Sequence, residues 1–377
     1  MEGLEVEGPV FVTQELVPEH ARALLREELH HCDPKLPALL EQLGKHGASE
    51  CWHKHGTFKQ HLFGVWRILY LWKQSQAVCR CGLYHSAYSN SYVNLAIFKP
   101  DTGRETVRSA VGNEAEELIH FFCTIPRQEL IFDHILPLHP DKPIPKEGVE
   151  VRHIRNKDEK IRVSPKLMKI SLLLTIADFC DQWYGWQDLL FANEGGLTMS
   201  GDNPATLWPS TGKPGLWMSR LSQMAVLSRR IHEQEPDDEP LPPIFNNCST
   251  VLEPDSEREA RDLYWRVVMH KTEQEQHEEA AEDLRKAIAL NPFVAEPRVL
   301  LAQIYNVSGR YEEAESQAQE ALRLLFEWGT AWDKVPPWLS LLPAWFGWIA
   351  WARINVLKAR RKEWPSTSFG IINLGLV

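Results

Sequence analysis

The side chains in this sequence with the range to hold an ion or move a proton fall into a few short segments. His61-Leu-Phe-Gly-Val-Trp-Arg-Ile-Leu, Gly82-Leu-Tyr-His85-Ser86 and Thr175-Ile-Ala-Asp178 each set a His or an Asp inside an apolar stretch. Imidazole nitrogens and carboxylate oxygens are donors that divalent ions take, and they also carry protons near neutral pH. The 24 residues from His61 to His85 fit one helix, a turn and part of a second. Other chemistry is thin. Cys79 and Cys81 form a Cys-x-Cys pair ahead of His85, but no second pair with zinc-ligand spacing follows, so both read as buried helix thiols. There is no Gly-rich phosphate loop, no Gly-x-Ser-x-Gly elbow and no local signature of a Cys–His nucleophile.

In order and spacing the three segments resemble the HD superfamily. That family sets a His on one helix, a His-Asp pair on the next and an Asp on a late helix written Ala-Asp, gripping a divalent ion that activates water or oxygen. The resemblance implies His61, His85 and Asp178 as ligands to a divalent metal such as Mn, Fe or Zn. It also implies catalytic parts for His85, Asp178 and, one turn on, Asp181. One departure stands out: where the family has its bridging Asp, this chain has Ser86. Serine is neutral and a poor ligand, so one negative charge and one strong bond are missing. Two His and Asp178 remain, the ligand inventory of facial-triad Fe(II) oxygenases. His53, His55, His120 and Asp181 are candidates for the vacated place. The histidines have plainer readings, His53 and His55 as solvated surface and His120 as core.

Within the superfamily the chain is similar to the guanosine-tetraphosphate hydrolases of the RelA/SpoT type. There the His-Asp helix is followed by a polar stretch, an Arg, then a Phe-Gly turn opening a helix. Here Tyr88-Ser-Asn-Ser, Arg104 or Arg108, and Val111-Gly112-Asn-Glu-Ala-Glu-Glu-Leu-Ile take those places. The resemblance covers about residues 52–186. It implies a substrate pocket bordered by Ser86, Tyr88, Asn90, Arg108 and His120. Glu116 or Asp181 would take a proton, and Arg104, Arg108, Arg127 and Lys99 would clamp a phosphate. The ending Trp364-Pro-Ser-Thr-Ser and Ile371-Ile-Asn-Leu-Gly-Leu-Val also looks like an uncharacterised HD-like family of plants and algae.

The elements that must position these residues are helices. Leu recurs at spacings of three and four over residues 12–44, and amphipathic runs follow at 58–73, 76–88 and 113–123. Ser164 as N-cap and Pro165 at the first helical position open a long apolar helix at 165–186. Strand-like alternation is nearly absent, so the expected class is all-α, an HD-type helical bundle. Residues 191–255 turn rich in Gly, Pro and Asp around one helix at 216–232 and read as a connector. From 256 onward, helix pairs split by short turns, with Leu301, Ala302, Tyr305, Gly309, Tyr311, Ala314, Ala318 and Ala321 at packing positions, resemble tetratricopeptide repeats. About two repeats are visible, too few for a free-standing array, so the tryptophan-rich tail is expected to cap them. The division expected is 1–190, 191–255 and 256–377.

Composition bounds the partners. A net charge of −10 argues against nucleic acid and anionic membrane as the main partner. The most apolar stretch, 335–352, holds Pro336, Pro337 and Pro343, which break the helix a bilayer span needs. Seven scattered cysteines and an acidic start without an apolar core fit a soluble, reducing, cytoplasmic setting. Three readings follow. One is a metal-dependent enzyme acting on a small molecule or nucleotide, as a phosphohydrolase or, given Ser86, an oxygenase. Another is a non-catalytic HD-like chain whose repeat half binds a protein partner. The third is a metal-free site, in which His85 and Asp178 act as base and orienter or the pocket only binds a small molecule.

Overall fold

In the computed structural model the described residues are 16–53, 56–91, 96–98, 103–182, 214–245, 251–271, 273–334 and 344–362; His55, Lys99, Trp186 and the chain after 362 lie outside them. Helices dominate. The first half runs α1 (Glu19–Leu25), α2 (Leu29–Cys32), α3 (Leu36–Lys45), α4 (Phe58–Leu71), α5 (Gln76–Leu83), α6 (Gly103–Val111), α7 (Asn113–Thr124) and α8 (Pro165–Gln182). Two small antiparallel hairpins interrupt it, β1 (Trp52–His53) with β2 (Gly56–Thr57), and β3 (Val149–Arg152) with β4 (Lys160–Val163). The strands, two residues each in the first hairpin and four in the second, where Glu150, Arg152, Lys160 and Arg162 are exposed, are too short for a period-2 pattern to register. The class remains all-α.

Local chemistry explains where the helices of the site begin. Thr57 and Gln60 form a reciprocal capping box that starts α4, with Gln60 N–H donating to Thr57 Oγ1 at 3.2 Å and Thr57 N–H to Gln60 Oε1 at 2.8 Å. Ser75 caps α5, and Ser164 Oγ accepts from Leu167 N–H at 3.3 Å ahead of Pro165. Helix α5 ends at Leu83, earlier than the run to 88 suggests. His85 Nδ1–H donates to the Gly82 carbonyl at 2.7 Å, and Tyr84–Tyr88 continue as turns. Helix α8 is buried on all sides from Met168 to Asp181, as befits the central helix of a bundle. It packs against α4 and α5.

The second half contains α9 (Met218–Gln234), α10 (Pro254–His270), α11 (His277–Leu290), α12 (Glu296–Val307), α13 (Tyr311–Trp328) and α14 (Ala344–Arg361). Ala281, Ala302, Ala314, Ala318 and Ala321 are fully buried, and their small size lets successive helices approach closely. Helix α14 packs on α13 and α12, burying Trp345 and Trp348. One hydrophobic core runs through both halves. At the seam the last carbonyls of α13, which no helix turn can satisfy, accept from α4: Trp72 Nε1 donates to Glu327 O at 2.7 Å and Arg67 Nε to Gly329 O at 2.9 Å. Gly329 is the left-handed C-cap (φ 70°), and a Cβ there would fall 3.1 Å from Ile68 Cα. No described helix is long and apolar enough to cross a membrane.

Candidate metal centre

His61 projects from the first turn of α4, His85 from the turn after α5 and Asp178 from the last turn of α8. Their ligand-type atoms lie within 4.8 Å of one another, less than about 1 Å wider than the span of two first-shell bonds of about 2.0–2.2 Å. Asp178 Oδ1 is 3.2 Å from His61 Nε2 and 3.8 Å from His85 Nε2. The three are 2–3% exposed, so the group is shut away from bulk water. Each imidazole has its far nitrogen occupied. His61 Nδ1 meets Asp181 Oδ2 at 2.9 Å, and His85 Nδ1 meets the Gly82 carbonyl at 2.7 Å. With both Nδ1–H groups donated, both Nε2 atoms are turned toward Asp178.

Electrostatics separates the two rings. Burial opposes a charge on His61, but hydrogen bonds to Asp178 and Asp181 outweigh it and raise the ring to about 9. Burial, with the charges of His61 and Arg127, lowers His85 to about 4 against the pull of Asp178. Burial likewise penalises the Asp178 carboxylate, yet the Arg127 charge and the His61 hydrogen bond hold it well below the usual range. Arg127 Nη2 lies 2.7 Å from Asp178 Oδ2, and its guanidinium lies over the Phe122 ring at 4.7 Å. Gln182 Nε2 donates to Asp178 Oδ1 at 2.9 Å.

The remaining expected residues divide between this centre and a second cluster. Ser86 and Asn90 stay at the centre: Asn90 Nδ2 donates to Ser86 Oγ at 2.7 Å and lies 3.4 Å from the His85 carbonyl. Tyr88, Arg108 and His120 gather around Glu116, which is fully buried. Tyr88 Oη donates to Glu116 at 2.9 Å, Arg104 grips both its oxygens at 2.7 and 2.8 Å, and Arg108 adds a bond at 2.9 Å. The His120 ring stands 5.9 Å from the Tyr88 ring. Burial alone would raise Glu116, but these donors hold it in the anionic form. Arg155 donates to the Tyr88 carbonyl. Helix α7 joins the clusters, since its Cys123 Sγ contacts the His85 carbonyl at 3.2 Å. His53 belongs to the short strand β1. Arg127 appears in the sequence as a phosphate clamp, whereas here it faces Asp178. Gly64 and Arg67, on the His61 helix, escaped notice; a glycine inside an otherwise continuous helical run was the available signal.

Two family models match the chain. One, described as a domain of unknown function (DUF6817), covers residues 42–127, and so takes in His61, His85, Ser86 and Arg127 but stops short of Asp178. The other, a tetratricopeptide repeat, covers residues 271–328, where α11, α12 and α13 lie. No curated protein and no solved structure matches.

Proposed function

We propose that the chain is a divalent-metal-dependent enzyme of the HD type, with His61 Nε2, His85 Nε2 and Asp178 Oδ1 as its ligand atoms. The observation that carries this reading is the pairing of both outer ring nitrogens, Asp181 behind His61 and the Gly82 carbonyl behind His85. Metal-binding imidazoles are held in that way, which fixes the tautomer and aims the free lone pair. A divalent ion held by His61, His85 and Asp178 would supply Lewis-acid chemistry, lowering the pKa of water and polarising a substrate oxygen. The protein's own part is to keep His85 neutral by burial and to anchor Asp178 through Arg127. With Ser86 where the HD pattern has a carboxylate, the trio would offer an ion three protein ligands and leave room for a substrate, a small molecule or nucleotide.

A second reading rests on a different contact. The Arg127–Asp178 pair and a protonated His61 between two carboxylates balance the buried charges without an ion. In that case the chain is a non-catalytic protein that acts through its tetratricopeptide-like half. Plasma emission spectrometry on purified full-length protein separates the two. We expect about one zinc, iron or manganese per chain in the wild type and its loss in His85→Ala. We further expect metal-dependent release of phosphate from a nucleotide panel by the wild type alone. Wild-type protein with no more metal than His85→Ala sinks the enzyme reading.

A further inference from the structure

Asp181 follows Asp178 by three residues on α8, yet its carboxylate sits behind the His61 ring rather than among the ligand atoms. Oδ2 accepts from His61 Nδ1 at 2.9 Å, and Oδ1 faces Arg67 Nη2 at 3.7 Å. Both oxygens are turned toward protein groups, an arrangement suited to orienting a ring and not to taking a proton from water. Space for that carboxylate depends on residue 64. A Cβ at Gly64 falls 1.9 Å from Asp181 Oδ1 and 2.5 Å from its Cγ, so no other residue type fits without displacing Asp181. Gly64 is in the interior of α4 and its φ is not left-handed, so its backbone does not require glycine. At such a position Gly is less favourable to the helix than Ala. The chain accepts that cost one turn after His61, at the contact with Asp181.

We propose that Asp181 is a positioning residue for the metal centre and that Gly64 is the gap that admits it, the two together fixing the His61 ring with Nε2 toward the ion. This rests on the metal-centre reading above. Arg67 backs the other carboxylate oxygen while its Nε is fastened to the Gly329 carbonyl, so the end of α13 takes part in the setting.

A double-mutant cycle on the full-length chain tests it, with zinc(II) affinity measured by competition against a chromophoric chelator and cobalt(II) spectra as a second readout. Gly64→Ala and Asp181→Ala each weaken zinc binding about ten- to hundredfold and alter the cobalt spectrum, as expected for loss of an outer-shell partner. The double variant binds no more weakly than Asp181→Ala alone, because both changes remove the same contact. Melting gives an independent sign. Gly64→Ala lowers the melting temperature of the wild type but raises that of Asp181→Ala, where the clash is gone and only the helix preference of Ala remains. Wild type that binds zinc alongside an Asp181→Ala variant of equal affinity overturns the inference and leaves the metal centre standing. Wild type that takes up no zinc removes both. Should Gly64→Ala fail to fold, Asp181→Ala carries the test, since it introduces no clash.

Discussion

At the scale of single residues, His61 and His85 are chemically unlike although they face the same carboxylate. His61, raised to about 9 against about 6.5 in the unfolded chain, contributes stability that is complete below about pH 6.5 and lost as pH rises through 9. His85, lowered to about 4, has the opposite sign: its contribution is present above about pH 6.5 and lost as pH falls toward 4. The groups facing them are Asp178, Asp181 and Arg127. Metal-free protein is therefore expected to melt highest near pH 6.5 and lower on either side, as thermal melts in chelator would show. Zinc must displace the His61 proton, so its affinity should climb by up to about tenfold per pH unit from 6.5 to 9. Zinc titrations at pH 6.5, 7.5 and 8.5 that give one affinity would contradict that assignment. The trio itself was legible because each member sits in a recognisable short segment. The pairing of Arg127 with Asp178 was not legible, because the two lie 51 residues apart and only the folded bundle brings them together.

Among the elements, those whose start is written in adjacent residues were the readable ones. Thr57 with Gln60, Ser75, and Ser164 with Pro165 mark the starts of α4, α5 and α8 by local hydrogen bonds. Helix α9 shows the contrary case. Its N-cap, Trp217, makes no side-chain bond, and the orphan N–H groups of Met218 and Ser219 instead donate to Glu257 on α10 at 2.6 and 2.8 Å. No local pattern announces a cap supplied from 38 residues downstream. Glu257 is buried, so Glu257→Ala leaves two N–H groups without an acceptor and removes an anion from a helix N-terminus. We expect a loss of about 1–3 kcal/mol in denaturant unfolding, with Glu257→Gln losing less because one oxygen remains. Equal stability of Glu257→Ala and wild type would show that water replaces the carboxylate.

For the molecule as a whole, the sequence reads as helical hairpins leaning on a tryptophan-rich tail, with a repeat half that in one of the three readings binds a protein partner. The hairpins and Trp345 and Trp348 on α14 are in place, and the buried groups Glu257, Tyr264 and Glu296 are engaged by the chain itself. Tyr264 Oη donates to Asp333 at 2.6 Å, Glu296 accepts from Trp332 N–H at 2.7 Å, and Trp332 Nε1 reaches the Gly215 carbonyl at 3.1 Å. Together with Arg67 and Trp72 on the α13 carbonyls, these contacts make the repeat region a brace for α4, the helix that carries His61. Periodicity cannot disclose this, since it reports which face of a helix is apolar and not what covers it. Removing residues 256–377 would uncover Ile68, Leu71, Trp72 and Trp217 at once and strip Arg67 of its Gly329 acceptor. The shortened chain should therefore lose its cooperative melt, bind a hydrophobic dye and elute as aggregate in size-exclusion chromatography. A shortened chain that elutes as a monomer and melts at the wild-type temperature would show that the first half stands alone, leaving the repeat surface to a partner.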